Sequence, residues 1–126
     1  MGKKILVVDD DPTSLKIVEG MLSTAGYKVV ISTHAEDIEQ RVKIVKPDLI
    51  IMDLMMPNVD GNQAVEKIKR HPSIKGIPII FLTALQVVDQ ERGIEFEVNV
   101  GNENYRTLSK PIDAKTLVAE IEKLAK

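Results

Sequence analysis

The sequence predicts a doubly wound α/β domain: a five-stranded parallel sheet in the spatial order 2-1-3-4-5, with helices on both faces. Three observations carry this. Short apolar runs alternate with amphipathic stretches along the 126 residues, and strand-helix alternation closes most simply into a parallel sheet with right-handed crossovers. The first apolar runs are continuous, as strands buried on both faces are. Finally, aspartates stand where the first and third runs end, and open α/β sheets bind their ligands beyond the carboxyl ends of their strands.

The elements follow in order. Ile5 to Val8 ("ILVV") forms the first strand. Asp11-Pro12 then supplies a helix N-cap and a proline at the first helical position. Leu15, Val18, Met21, Leu22 and Ala25 recur at helical spacing, and Gly26 stops that helix. Lys28 to Ser32 is the second strand. Thr33-His34-Ala35-Glu36 has the form of a capping box, and Ile38, Val42 and Val45 give the second helix its apolar stripe. Pro47 ends it. Asp48 to Asp53 ("DLIIMD") is the third strand, and "MMPNVDGNQ" is a loop. Asp60 caps a third helix carrying Ala64, Val65 and Ile68, closed by His71-Pro72. Ile77 to Thr83 is the fourth strand, and "RTLSKP" is a short fifth. Asp113 caps a last helix bearing Leu117, Val118, Ile121 and Leu124.

One segment breaks the alternation. "ALQVVDQERG" supplies at most a short fourth helix. Ile94 to Val100 ("IEFEVNV") then alternates apolar and polar residues, a strand signal, and "GNEN" follows as a turn. We read residues 94–108 as a β-hairpin extension that replaces part of the fourth helix and feeds the last strand. A longer helix using Val87, Glu91, Ile94 and Val98 is the competing pattern. Gly93 and the β-branched residues weigh against it.

Composition narrows the function. Lys and Arg number 17 against 19 Asp and Glu, a net charge of -2, so nothing favours nucleic acid or an anionic membrane. With no Cys there is neither a disulfide framework nor a thiolate metal site. No apolar run approaches the roughly 20 residues of a membrane span, and the N-terminus lacks signal-peptide anatomy. The expectation is a cytoplasmic, single-domain protein over residues 1–126.

In the predicted order, Asp9 and Asp10 at the end of strand 1 meet Asp53 at the end of strand 3. Thr83 ends strand 4, and Lys110 follows strand 5. Gathered carboxylates repel, so they call for a cation or for protonation. An all-oxygen set without grouped His suits Mg²⁺ before Zn²⁺. A hard ion, a Lys and a hydroxyl are what surround a transferring phosphoryl group, and a carboxylate can itself be the nucleophile.

These residues carry a resemblance. "ILVVDDDP", "DLIIMDLMMPNVDG", "IPIIFLTA" and "SKP" resemble, in this order and over nearly the whole chain, the receiver domains of bacterial two-component response regulators, in their single-domain, chemotaxis-regulator-like form. The resemblance fits the flavodoxin-like form of the fold. With one helix after Lys110, the expectation is a receiver with no output domain in this sequence, either a stand-alone regulator or a piece of a longer one. The resemblance implies Asp53 as phosphoacceptor, and Mg²⁺ held by Asp10, by Asp9 largely through water, by Asp53 and by the backbone carbonyl of Met55. Thr83 would be the switch hydroxyl, Ala84 the small residue beside the phosphate, and Lys110 the phosphate-binding base. Lys110-Pro111 matches the family's usually cis peptide bond. The phosphoryl donor would be a phosphohistidine on a sensor histidine kinase or phosphotransfer protein. The chain departs from the pattern in its last third. The usual Gly-Ala-Asp-Asp-Tyr-Leu stretch is missing, and Thr107 stands three residues before Lys110, where the family has an aromatic. Tyr105 is five before it.

Two other readings compete. "VVDDDPT" also fits the Asp-x-Asp-x-Thr motif of haloacid-dehalogenase-type phosphatases, with Asp9 as nucleophile and Asp11 as acid/base. Against it stand the short chain and the lack of a paired-acid motif late in the sequence. A degenerate receiver serving only as an interaction domain is the other, and the intact acid triad argues against that. Asp11 reads most simply as the cap. His34 and His71 sit in capping or loop positions and take no role.

Overall fold

The computed structural model describes residues 3–33, 38–53, 55–56, 59–60, 66–67, 69–70, 76–83, 95–100, 103–109 and 113–124. The first strand, β1 (Lys4–Val8), is central, and four of its five residues are buried. Helix α1 (Pro12–Thr24) follows, its N-terminus held as the sequence predicts. The Asp11 carboxylate accepts the Thr13 N–H at 3.0 Å and the Ser14 hydroxyl at 3.2 Å. Such a cap satisfies donors that the first turn otherwise leaves without partners. Leu15, Val18 and Leu22 form the buried stripe of α1, while Ala25 is exposed. Gly26, at φ +94°, turns the chain out of the helix in the left-handed region.

Strand β2 (Lys28–Ser32) pairs with β1, and helix α2 (Ile38–Val45) buries Ile38 and Val42. Residues 34–36 of the expected capping box lie outside the described residues. Two bonds from Lys4 tie the crossover shut. Its ammonium donates to the Val45 carbonyl at 3.0 Å, and its backbone N–H donates to the Asp48 carboxylate at 2.8 Å. Strand β3 (Leu49–Asp53) is buried at every position. The segment read as a plain loop contains a small antiparallel ribbon, β4 (Met55–Met56) with β5 (Val59–Asp60). Asp60, expected as a helix cap, is paired in register with Met55. The helix start lies outside the described residues. The helical residues Glu66, Lys67 and Lys69 follow, and the Arg70 N–H donates to the Glu66 carbonyl.

Strand β6 (Ile79–Thr83) pairs with β3. The hairpin expected at 94–108 is present as β7 (Glu95–Val100) and β8 (Glu103–Ser109), antiparallel, with Val100 opposite Glu103. The turn is shorter than the expected "GNEN", since pairing with β7 draws Glu103 and Asn104 into the ladder. Helix α3 (Ala114–Leu124) closes the described fold. The Asp113 carboxylate caps it, accepting the Thr116 N–H at 2.7 Å and its hydroxyl at 3.1 Å.

The sheet order is β2-β1-β3-β6-β8-β7, parallel except for the terminal β7–β8 pair. This is the expected five-strand order with one strand added at the edge. Register places Ile5, Val7, Leu49, Ile51, Ile80, Leu82 and Leu108 on one face. They form a single core with Leu15, Val18 and Leu22 of α1 and Leu117 and Ile121 of α3. The opposite face carries Leu6, Val8, Ile50, Met52, Ile79 and Phe81, all buried.

Candidate functional site: an acid cluster at the sheet's switch point

The site forms because β1 and β3 are neighbours although α1, β2 and α2 separate them in sequence. Val8 pairs with Met52, so Asp9 and Asp53 leave the sheet level with each other. Asp9 is 3% exposed and Asp53 7%, whereas Asp10 is exposed. One carboxylate oxygen from each of Asp9, Asp10 and Asp53 can be chosen so that all lie within 4.8 Å of one another.

Local bonds fix Asp9. Its N–H donates to the Ser32 carbonyl of β2 at 3.0 Å, which carries the β1–β2 ladder one residue past the strand. Its Oδ1 accepts the Asp11 N–H at 3.0 Å. Ser32, itself buried, is a positioning group that sequence reasoning missed. Its main-chain carbonyl does the work, and no side-chain pattern announces that. Both oxygens of Asp11 are engaged with the first turn of α1. The three consecutive aspartates thus divide, two to the cluster and one to the helix.

The electrostatics explain what the cluster wants. Two ionised carboxylates 4.8 Å apart repel by on the order of 3 kcal/mol at an effective dielectric of ~20. Burial of Asp9 and Asp53 removes the water that would screen them. A hard divalent cation relieves this, and all-oxygen donors of this kind match Mg²⁺ or Ca²⁺ chemistry. Such a site leaves positions open for water or phosphate oxygens.

Thr83 closes β6, one residue beyond Leu82, the partner of Asp53. It also pairs in register with Ser109, the last residue of β8. The backbone of Thr83 is therefore on the same sheet edge as the acids. Met55 opens β4, two residues after Asp53. Lys110, Ala84 and the Lys110-Pro111 peptide bond lie outside the described residues.

Comparison with known proteins agrees with this geometry. The family model "Response regulator receiver domain" matches residues 5–122. The probable transcriptional regulator ycf27 of Cyanophora paradoxa is 37% identical over 123 residues, covering 97% of this chain but 48% of that protein. The chain spans about half the length of several curated relatives it matches, this one among them. Protein PilH of Pseudomonas aeruginosa is 32% identical over 118 residues, covering 94% of this chain and 93% of that protein. Among solved structures, a putative response regulator from Chloroflexus aurantiacus superposes with a TM-score of 0.80 at 28% identity, covering 99% of this chain and 98% of that one. The parallel sheet, the acids at its switch point and these matches lead to one conclusion: the chain belongs to the response regulator receiver domain family, the phosphorylation-switched modules of two-component signalling.

Proposed function

We propose that Asp53 is the phosphoacceptor of this receiver, supplied by a phosphohistidine on a histidine kinase or phosphotransfer protein. The observation that carries the reading is the meeting of Asp9, Asp10 and Asp53 from two neighbouring strands within 4.8 Å. In the transfer, an Asp53 carboxylate oxygen attacks the phosphorus. The new O–P bond forms as the P–N bond to the donor imidazole breaks, and that nitrogen keeps the electron pair and takes up a proton. Asp53 suits the nucleophile role because the rigid strand β3 orients it, and near-complete burial limits competing water.

Asp9, Asp10, Asp53 and the Met55 carbonyl would hold Mg²⁺, which supplies charge neutralisation for the entering phosphoryl oxygens. The Asp11 N–H on Asp9 Oδ1 sets the rotamer of Asp9. Thr83 would donate a hydrogen bond from its hydroxyl to a phosphoryl oxygen, and Lys110 would add a fixed positive charge, with Ala84 leaving space beside it. The phosphorylated state would alter a protein-binding surface through Thr83 and Lys110, a two-state shift. The protein takes part in its own phosphorylation and dephosphorylation but turns over no separate substrate, and it works in the cytoplasm.

Incubation with acetyl phosphate and Mg²⁺, read by intact mass, tests this. The wild type should gain one phosphoryl group and Asp53→Asn none. Should Asp9→Asn lose the adduct while Asp53→Asn still turns over substrate, the phosphatase reading takes its place. A wild type that never labels yet binds a partner is a degenerate module.

A further inference from the structure

We propose that the outer edge of β7 is a self-association surface, on which a second copy of this chain adds its own β7 antiparallel about a two-fold axis at Val98. Among the described residues, β7 has β8 on one side and no strand on the other. An edge strand offers a row of backbone donors and acceptors to any strand that fits, and proteins usually blunt such edges with Lys, Pro or bulges. Glu95–Val100 ("EFEVNV") contains neither Lys nor Pro, and its register against β8 runs without a bulge from Glu95–Leu108 to Val100–Glu103.

The register selects the occupant. Val100 and Glu103 are paired with two residues between them, and a two-residue connection closes on a hydrogen-bonded pair. Val100, Val98 and Phe96 therefore direct their backbone groups toward β8. Asn99, Glu97 and Glu95 direct theirs outward. A two-fold antiparallel pairing must set outward residues opposite outward residues, which leaves few registers. An axis at Glu97 would place two Glu97 carboxylates opposite each other, a like-charge pair that costs stability. An axis at Val98 places Val98 opposite Val98, Phe96 opposite Val100, and Glu97 opposite Asn99 on both sides. Apolar positions then meet apolar ones and no charge faces its like. The contact is isologous, so it closes at a dimer instead of growing into a filament. Its sheet runs unbroken through both copies.

Sedimentation velocity over a concentration series tests the proposal. The wild type should show a monomer–dimer equilibrium. Asn99→Pro removes an outward N–H at an edge, where proline is tolerated, and should give a monomer with an unchanged circular-dichroism spectrum. Asn99→Glu, which sets Glu97 against a second acid, should raise the dimer dissociation constant at least tenfold, and Asn99→Lys should lower it. The described residues contain no cysteine, nor does the rest of the chain, so a single engineered one reads register directly. Val98→Cys stands at the close, non-hydrogen-bonded pair on the axis and should form a disulfide dimer under mild oxidation, well ahead of Glu97→Cys. A wild type that stays monomeric at every concentration overturns the proposal, as does a dimer that survives Asn99→Pro. Equal cross-linking at 97 and 98 overturns the register.

Discussion

At the scale of single residues, the run Asp9-Asp10-Asp11 shows how adjacent identical side chains acquire different tasks. Asp9 is buried and oriented by a backbone N–H, Asp10 is exposed beside it, and Asp11 caps α1. This division makes a prediction. Asp11→Ala should destabilise the fold by about 1 kcal/mol, the ordinary value of a lost N-cap, measured by urea unfolding, while phosphoryl labelling of Asp53 persists. Loss of labelling in a folded Asp11→Ala protein would revive the acid/base role that the phosphatase motif gives this residue. Asp113 supports a second prediction. The Thr116 N–H, then the Thr116 hydroxyl, hold its carboxyl below the usual Asp range against an opposing desolvation, with Lys115 adding to the lowering. Because the folded value is depressed, the cap contributes its stability above the unfolded pKa of about 3.9 and loses it as pH falls through the lower folded value. The urea midpoints of wild type and Asp113→Ala should therefore differ at pH 7 and converge in acid. The split of roles along Asp9-Asp10-Asp11 was legible in the sequence, because Asp-Pro is a local helix-start signal and capping needs only neighbours. The part of Ser32 was not, because a backbone carbonyl has no side-chain signature.

At the scale of elements, α1 and the turn that ends it hold two glycines with opposite prospects. Gly20 lies within the helix, and a Cβ built there meets nothing within 4 Å. Gly26 also has room, but its φ of +94° is one that L residues rarely adopt. Gly20→Ala should stabilise by about 0.5–1 kcal/mol, through helix propensity and a less flexible unfolded chain. Gly26→Ala should destabilise by about 1 kcal/mol or more, through strain. Thermal melts of the two variants should shift in opposite directions. Open space around a glycine thus decides nothing until the backbone is known. Continuous apolar runs marked β1, β3 and β6, and the period-two alternation of "EFEVNV" marked β7 despite helical spacing in competition. The β4–β5 ribbon stayed hidden because two-residue strands have no period to read, and β8 was underestimated because its first residues owe their strand state to pairing with β7.

At the scale of the whole molecule, alternation and crossover handedness made a doubly wound parallel sheet foreseeable, and the flavodoxin-like order of such sheets brought Asp9, Asp10 and Asp53 together. What the chain could not announce was that β7 ends the sheet among the described residues, since which strand ends a sheet depends on the entire topology. Cation binding is the global prediction. Any ion that binds only the folded state stabilises it by RT ln(1 + [L]/Kd), about 2.7 kcal/mol at a hundredfold excess over Kd. Magnesium should therefore raise the melting temperature of the wild type in a concentration-dependent way and that of Asp10→Asn much less, with chelator reversing both shifts. The pairing of Val8 with Met52 has a consequence for how the chain matures. A slip of one residue between β1 and β3 would turn the acids to opposite faces of the sheet, and a chain emerging during synthesis has no cluster until β3 has docked. On the proposed Mg²⁺ site, ion affinity would therefore act as a proofreading signal: it should appear only in molecules whose central strands have found their correct partners, so a magnesium titration should count native molecules in a refolding mixture.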